Sequence, residues 1–169
     1  DGPATVCRGT IEDGAPLFAC APEVPCSPEC PQGRGCVDGE CQLLPAVDVA
    51  VSNTGACALL QDGTVTCWGS LFDGRTALRP TTQLVSDVVA LSLAPVQNKI
   101  CVVRSNGELW CWGSAFSQTA PTRVANIVDA VDVAVGDSHQ CVVRSNGKVS
   151  CWGLNMDGQL GNGTTTTAT

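Results

Sequence analysis

The feature that most constrains this chain is a pair of cysteines that occurs three times at one spacing. Each pair reads Cys-x9-Cys, and Trp-Gly follows the second cysteine directly in every copy. The pairs are Cys57 and Cys67, Cys101 and Cys111, and Cys141 and Cys151, so the copies are offset by 44 residues (57 to 101) and 40 residues (101 to 141). A period of roughly 20–50 residues is typical of solenoids, propellers and arrays, in which each unit buries its apolar face against the next unit.

A turn signal lies midway between the cysteines of every pair. The three signals are Gln61-Asp62-Gly63, Ser105-Asn106-Gly107 and Ser145-Asn146-Gly147. Each fits a three-residue hairpin loop, a type I turn that ends on a glycine in the left-handed region. Such a loop pairs Leu60 with Thr64 and places Cys57 directly opposite Cys67. The cysteines then form a non-hydrogen-bonded pair with Cα atoms about 4.5 Å apart, so the spacing predicts three cross-strand disulfides.

Each of these disulfides would close a loop of about 11 residues, which the chain-entropy model values at roughly 2.8 kcal/mol. Three of them give about 8 kcal/mol, which is comparable with the whole stability of a typical domain. We therefore expect the protein to depend on an oxidising compartment and to be secreted or held at the cell surface.

The other six cysteines crowd into the first 45 residues, among proline, glycine and acidic residues. They are Cys7, Cys20, Cys26, Cys30, Cys36 and Cys41. Six cysteines allow many connectivities, and the sequence does not choose among them. The run from Cys36 to Cys41 holds an Asp-Gly turn and predicts a small hairpin. Zinc is the competing interpretation, but Cys-x2-Cys is missing and no histidine lies nearby. We predict that residues 1–45 form a disulfide-rich knot, since so few apolar residues would not hold a fold otherwise.

The third copy of the repeat carries a longer pattern over residues 131–163. It includes His139 and the run Trp152-Gly-Leu-Asn-Met-Asp-Gly-Gln-Leu-Gly161. This pattern resembles one full repeat of the regulator of chromosome condensation family. The first two copies keep the hairpin and Cys-Trp-Gly, but they have Gly55 and Lys99 where the third has His139, and they lack the Gly-Gln-Leu-Gly tail.

The resemblance covers about residues 46–169 and implies a β-propeller, which in this family is usually seven-bladed. We predict an all-β chain with three propeller-type repeats, at about residues 46–84, 85–123 and 124–169. Propellers close with about 4–8 blades, so three blades make an incomplete propeller. The family's best-known activity, nucleotide exchange on a nuclear GTPase, is not implied, because that setting is reducing and this chain is acidic and rich in cysteine. Secreted bacterial relatives include protein inhibitors.

Composition argues against nucleic-acid and membrane partners. The net charge is −7, and the nine basic residues are scattered, whereas phosphate binding needs clustered Lys and Arg. No run approaches the roughly 20 apolar residues that span a bilayer. No charged and apolar leader pattern opens the chain, so we expect Asp1 to be a processed or cut N-terminus.

No reaction can be assembled from these residues, so we predict that the chain is not an enzyme and holds no catalytic residue, metal or cofactor. His139 is the single histidine, and the resemblance assigns it a structural role. All twelve cysteines have disulfide partners available, so none is an attractive nucleophile. The run Asn155-Met-Asp157-Gly158 resembles a calcium loop but lacks the third carboxylate and the closing glutamate.

Two further motifs have a binding interpretation and a structural one. The four tryptophans, Trp68, Trp110, Trp112 and Trp152, could form a sugar-binding platform, but the recurrence of three of them directly after the second cysteine of each pair favours packing between blades. Asn162-Gly163-Thr164 is an N-glycosylation sequon, and its alternative interpretation is a turn.

The first functional hypothesis is structural self-assembly in the extracellular space. Terminal blades leave apolar faces and strand edges open, and copies of the chain could cover them head to tail, giving an oligomer or filament. We expect the tail to add a strand to an open edge of a neighbouring copy; the alternative is that it folds back on its own blade. The tail consists of Gly161, Asn162, Gly163, Thr164, Thr165, Thr166, Thr167, Ala168 and Thr169.

The second hypothesis is an extracellular binding module, an inhibitor or an adhesin-like protein. In that case the loops Ser70–Leu84 and Ser114–Arg123 would contact another protein. The third hypothesis is a fragment of a longer seven-bladed propeller.

Overall fold

The structure is a computed structural model that describes residues 5–12, 15–22, 34–37, 40–70, 76–83, 85–96, 99–113 and 118–168. These residues form strands, turns and irregular segments, with no helix among them. The chain divides into two compact units, Asp1–Leu43 and Leu44–Thr169.

The first unit contains two separate antiparallel pairs of strands. Strands β1 (Thr5–Glu12) and β2 (Ala15–Pro22) form one pair. Strands β3 (Arg34–Val37) and β4 (Glu40–Leu43) form the other, where the sequence predicts a hairpin. Cys26 and Cys30 lie outside the described residues.

The second unit contains three antiparallel sheets, and the strand order in each sheet follows the chain. The first blade consists of β5 (Ala46–Val51), β6 (Gly55–Leu60), β7 (Val65–Ser70) and β8 (Thr76–Thr82). The second blade consists of β9 (Val88–Leu93), β10 (Lys99–Arg104), β11 (Leu109–Gly113) and β12 (Gln118–Arg123). The third blade consists of β13 (Ala130–Val135), β14 (His139–Arg144) and β15 (Val149–Gly153). The predicted all-β fold with three blades in an open, incomplete propeller is confirmed.

The central hairpin of each blade has the predicted turn. In the first blade, the N–H of Leu60 donates to the carbonyl oxygen of Thr64 (2.8 Å), and the N–H of Gly63 donates to that of Leu60 (2.9 Å). Gly63 has a φ of 78°, in the left-handed region that glycine adopts without steric cost. The side-chain oxygen of Asp62 also accepts the N–H of Thr64 at 2.9 Å. The second and third hairpins repeat these contacts, so a local turn fixes the register of all three.

That register brings each pair of cysteines together in a disulfide. Cys57 lies opposite Cys67, and the equivalent pairs in the second and third blades are also in register. The Cα atoms are 4.1, 4.2 and 4.1 Å apart in the three blades. Each bridge therefore joins the second strand of its blade to the third.

The core of the second unit lies between blades. One buried cluster fills the space between the first and second blades and is formed by Cys57, Leu59, Val65, Cys67, Val88, Leu91, Leu93, Ile100, Val102 and Trp112. Another fills the space between the second and third blades and is formed by Ala90, Ala94, Cys101, Val103, Leu109, Cys111, Ile127, Ala130, Val133, Val135 and Val142. Because the second blade contributes one face to each cluster, it is covered on both sides.

The backbone register of the first unit generates a prediction about its disulfides. Cys7 lies opposite Cys20, and Cys36 lies opposite Cys41, which is the arrangement that is bridged in the blades. We expect Cys7–Cys20 and Cys36–Cys41 bonds, and hence Cys26–Cys30 by elimination. Peptide mapping without reductant, with a cut between each pair, measures this. A bond that joins β1 or β2 to β3 or β4 would contradict it.

Candidate functional site

Successive blades are joined by a main-chain contact at the hairpin turns. The carbonyl oxygen of Gly63 accepts the N–H of Val88 (3.1 Å), and that of Gly107 accepts the N–H of Ala130 (3.0 Å). A Cβ atom on Gly63 would lie 3.0 Å from the Cα of Asp87, and one on Gly107 would lie 2.4 Å from the oxygen of Val128. A Cβ on Gly147 would meet nothing within 4 Å. The turn of the third blade therefore presents the same contact surface without a following blade.

We call the face of a blade that points towards the following blade its trailing face, and the opposite one its leading face. Leu109 in the second blade and Val65 in the first hold equivalent positions on trailing faces, and both are 0% exposed. Val149 holds this position in the third blade and is 61% exposed. The Cys57–Cys67 and Cys101–Cys111 bridges are buried, whereas both cysteines of the third bridge are half-buried. The trailing face of the third blade is thus an open apolar surface.

The leading face of the first blade is open in the same way. Val49 lies opposite Ala58 in β6 and is 60% exposed, whereas the equivalent Leu91 and Val133 are each 6% exposed. Val51 is 68% exposed, and the equivalent Leu93 and Val135 are 6% and 8% exposed. The chain forms the same kind of interface twice, between its first and second and its second and third blades. The third blade exposes the trailing half of such an interface, and the first blade exposes the leading half.

The second residue of the first strand is an exposed valine in every blade, and it provides a reference for the exposure of the other valines. Val47, Val89 and Val131 are 61%, 53% and 48% exposed. Each lies at the irregularity where the first strand of its blade shifts register or ends its pairing. Exposure at this position therefore carries no information about a missing neighbour.

Three of the four tryptophans, Trp110, Trp112 and Trp152, pack in or against the apolar clusters between blades. Trp112 is 1% exposed and belongs to the cluster between the first and second blades. Trp152 packs against the cluster between the second and third blades. Trp68 has the equivalent register on the first blade and is half-buried. Trp110 packs against the cluster between the first and second blades and also has polar contacts. Its indole N–H donates to the carboxylate of Glu108 (3.1 Å), and the Arg104 guanidinium lies 5.8 Å from its ring centre.

Charged groups surround Trp110 on the second blade. Arg104 pairs with Asp87 at 2.8 Å, and Arg123 pairs with Glu108 at 2.9 Å. The hydrogen bond from Arg104 lowers the pKa of Asp87, and the hydrogen bond from the Trp110 indole lowers the pKa of Glu108. Each charged side chain of this cluster thus has a partner of opposite charge, and none is left unpaired to bind a substrate.

A polar group of residues lies between the second and third blades. Lys99 is 4% exposed, and its ammonium donates to the side-chain oxygen of Gln140 at 3.1 Å. Asp137 accepts the main-chain N–H of Val96 (2.9 Å), and Ser92 accepts that of Val135 (3.0 Å). Burial lowers the pKa of Lys99, and the negative charge of Asp137 opposes part of this shift. All three contacts join residues of neighbouring blades, so they position the third blade on the second.

The imidazole of His139 packs closely on Gly136 of its own blade. A Cβ atom on Gly136 would lie 2.6 Å from the imidazole Cε1, so a larger residue there would displace the ring. In the described part of the chain, no group of three or more His, Cys, Asp or Glu side chains is arranged to hold a metal ion. The same residues include no helix of the length and hydropathy needed to cross a membrane.

The tail folds back onto its own blade. Asn155 is 0% exposed, and its amide nitrogen donates to the carbonyl oxygens of Thr164 (2.9 Å) and Thr166 (3.0 Å). Its side-chain oxygen accepts the N–H of Leu160 at 2.9 Å. Ala168 then forms an antiparallel bridge with Gly153. Within one copy the tail thus has the arrangement of the intramolecular alternative, and strand donation to a neighbouring copy stays a prediction.

Asn162 lies in the exposed part of this tail. Its side-chain oxygen accepts the N–H and the hydroxyl of Thr164, at 3.1 and 2.8 Å. The sequon thus forms a turn that the Asn162 side chain stabilises. Glycosylation of Asn162 stays a prediction.

The two segments expected to be partner-binding loops are largely strands. The parts that the structure describes contain β8 and β12, the fourth strands of the first and second blades. Pro80 and Pro121 lie within them; an outermost strand tolerates proline because its outer side needs no N–H donor. Residues 71–75, 84 and 114–117 lie outside the described residues.

Comparison with known proteins identifies the repeat type. Residues 130–159 match the Regulator of chromosome condensation (RCC1) repeat. The comparison with curated protein sequences gave no match. Among solved structures, yeast RCC1 (Prp20) bound to Kap60 is similar, with a TM-score of 0.60 at 18% identity over 75% of this chain and 36% of that one. Human WBSCR16 is similar with a TM-score of 0.61 at 17% identity, over 77% of this chain and 41% of that one.

A second structure of the yeast protein, Prp20p from Saccharomyces cerevisiae, was described together with its binding properties to Gsp1p and histones. It has a TM-score of 0.57 at 19% identity, over 72% of this chain and 36% of that one. The chain thus spans roughly two fifths of the length of these structures. At such identities the likeness establishes the fold, which is that of propeller blades.

The Asn155 contacts generate a stability prediction. Asn155→Ala leaves the carbonyl oxygens of Thr164 and Thr166 and the N–H of Leu160 without their partner, at a cost of about 1–3 kcal/mol. We expect a lower free energy of unfolding and faster hydrogen exchange at Leu160 and Ala168. Gln159→Ala is the control, since the Gln159 side chain accepts only the exposed N–H of Asp157. If hydrogen exchange at Ala168 is unchanged in Asn155→Ala, the main-chain pairing of Ala168 with Gly153 is enough to hold the tail.

The burial of Lys99 generates a pH prediction. Its pKa is lower in the folded state than in the unfolded chain, so burying the charged form costs stability at neutral pH. That cost disappears as pH rises through the folded pKa towards the unfolded value of about 10.4. We expect wild type to gain stability relative to Lys99→Met between pH 7 and about pH 10, measured by denaturant unfolding. Lys148→Met is the control, since Lys148 is exposed. A difference in stability between wild type and Lys99→Met that does not change with pH would mean that Asp137 and Gln140 compensate the charge fully.

Proposed function

We propose, from the premise that residues 130–159 form a regulator of chromosome condensation repeat, that this chain is a non-enzymatic extracellular structural protein. It self-assembles into an oligomer or filament, because the open faces of its terminal blades bind blades of other copies. The observation that carries the proposal is the 61% exposure of Val149 at a position that is fully buried in the first two blades.

The exposed surface supports an assembly that the hydrophobic effect stabilises. Full burial of a valine side chain is worth about 1.5 kcal/mol, so Val49, Val51 and Val149 each offer roughly 1 kcal/mol when a neighbour covers them. The open main-chain acceptor of Gly147 adds a directional contact, since its two equivalents each accept an N–H from the next blade. A surface that combines exposed valines with a main-chain acceptor at a fixed position is suited to bind another blade.

The described chemistry supports a role without catalysis. The one buried ionisable side chain among the described residues is Lys99, and its contacts join the second blade to the third. The three disulfides are compatible with an oxidising compartment, and they stabilise each blade independently of its neighbours.

The alternative function is an extracellular protein-binding module that acts as an inhibitor or adhesin. The cluster around Trp110 favours it, because Trp and Arg are the residue types enriched in binding hot spots. In this case another extracellular protein covers the open faces, or binds the exposed charged groups around Trp110. Structures similar to this chain include proteins described with partners, among them yeast RCC1 with Kap60.

Solution size tests the proposal. We expect wild type to be larger than a monomer in light scattering after size exclusion, over a wide range of concentrations. Val149→Lys should be monomeric, because docking would bury an unpaired ammonium. Val131→Lys, at the position exposed in every blade, is the matched control and should assemble like wild type. A monomeric wild type would overturn self-assembly and leave the binding module.

A further inference from the structure

We propose that Asn162 is a self-modification site, at which the main-chain nitrogen of Gly163 attacks the side-chain amide and expels ammonia. The first product is a succinimide ring, and hydrolysis of this ring leaves isoaspartate or aspartate at residue 162. The proposal goes beyond the proposed function and does not depend on self-assembly. It rests on a comparison of three Asn-Gly sequences that the fold holds in different hydrogen-bonded settings.

The chain contains Asn-Gly at Asn106-Gly107, Asn146-Gly147 and Asn162-Gly163. A glycine after asparagine favours the attack, because glycine has no Cβ to hinder the approach of its nitrogen and its main chain rotates freely. All three sequences share this local chemistry. Any difference in rate among them must therefore come from the folded structure.

The first requirement is a glycine N–H that can turn towards the side chain and lose its proton. In two of the hairpin turns this N–H is engaged, since Gly107 donates to the carbonyl oxygen of Arg104 and Gly147 to that of Arg144, both at 2.8 Å. Attack there would first have to break the hydrogen bond of the turn. The N–H of Gly163 has no hydrogen-bond acceptor among the residues that the structure describes. Gly163 is therefore the nucleophile that the fold leaves available.

The second requirement is stabilisation of the negative charge that develops on the side-chain oxygen when the nitrogen adds to Cγ. The oxygen of Asn162 accepts the N–H of Thr164 at 3.1 Å and its hydroxyl at 2.8 Å. The amide nitrogen of Asn155 lies 3.3 Å from the same oxygen. The described contacts of Asn106 and Asn146 give each side-chain oxygen one N–H, at 3.1 and 3.0 Å. Donors that are already in place on a developing oxyanion lower the barrier to its formation.

The reaction balances without a cofactor or an oxidant. The nitrogen of Gly163 forms a bond to Cγ of Asn162, and the Cγ–Nδ2 bond breaks. The proton of the glycine N–H passes by way of water to the departing nitrogen, which leaves as ammonia. A water molecule then opens the succinimide ring: addition at the main-chain carbonyl carbon gives isoaspartate, and addition at Cγ gives aspartate.

Isoaspartate at residue 162 would loosen the tail. In isoaspartate the main chain runs through Cβ and Cγ, so one additional methylene separates residue 162 from its neighbour. Asn155 holds the tail through the carbonyl oxygens of Thr164 and Thr166, which lie 2.9 and 3.0 Å from its buried amide nitrogen. A lengthened main chain cannot keep both oxygens in place. We therefore expect faster hydrogen exchange at Ala168 in the isoaspartate form.

The test compares the three Asn-Gly sequences within one sample. The intact chain, made without glycosylation, is aged in its disulfide-bonded form in mildly alkaline buffer, and isoaspartate is located by peptide mapping while released ammonia is measured. We expect Asn162 to react at least about tenfold faster than Asn106 or Asn146. In the reduced and denatured chain the three rates should become similar, because the fold no longer distinguishes the sites.

A pair of variants at residue 164 tests the contact with the side-chain oxygen. Thr164→Val removes the hydroxyl, keeps the main-chain N–H and should slow the reaction at Asn162 about tenfold, the effect of losing one hydrogen bond to a developing charge. Thr164→Ser keeps the hydroxyl and should react at a rate close to that of wild type. Unchanged hydrogen exchange at Ala168 in fresh Thr164→Val shows that the tail is still in place.

Three results would overturn the proposal. Equal rates at the three sites of the folded protein, or a faster reaction at Asn106 or Asn146, would show that the fold does not select Asn162. Equal rates in Thr164→Val and Thr164→Ser, with the tail in place, would remove the role of the hydroxyl. Isoaspartate at residue 162 with unchanged exchange at Ala168 would overturn the loosening of the tail. None of these readouts depends on the mass of the particle, so they are separate from the test of self-assembly.

Discussion

The sheets of the repeat region are apolar on both faces, and this constraint governs the rest of the structure. In the second blade, adjacent residues Val102 and Val103 point to opposite faces, and both are 0% exposed. Neither face can be buried within one blade, so each blade depends on a neighbour on either side. The disulfides lie on trailing faces, and therefore the bridge of each blade is also part of the surface onto which the next blade packs.

The hairpins could be predicted from the sequence because they obey local rules. A glycine turn and two cysteines fix the register over about ten residues, and no distant contact competes with that register. The tail could not be predicted in the same way. The tail has little apolar surface that could order it, and instead a single buried amide, that of Asn155, holds two carbonyl oxygens and one N–H. The signal was the asparagine that follows Trp152-Gly153-Leu154.

The positions of the fourth strands were not predicted, for a different reason, and their segments were expected to be loops. β8 and β12 are rich in threonine and contain proline, so they lack the alternating apolar pattern by which a half-buried strand is recognised. They lie at the outer edge of their sheets, where main-chain pairing with β7 and β11 is sufficient. Threonine suits such a strand, and proline is tolerated there. Composition that is typical of a loop therefore also describes an outermost strand.

The two internal junctions differ in polarity, and this difference decides which blades can follow each other. Lys99 is buried against Gln140 of the third blade. Ala56 of the first blade has the register of Gln140, since each lies opposite the tryptophan of its Cys-Trp-Gly run. A first blade packed on a second blade would therefore bury Lys99 without its amide partner, which is costly. The third blade has His139 at the position of Lys99, held over Gly136 of its own blade. Lys99 therefore makes the trailing face of the second blade specific for a third blade, whereas the trailing face of the third blade has no buried cation that needs an amide partner.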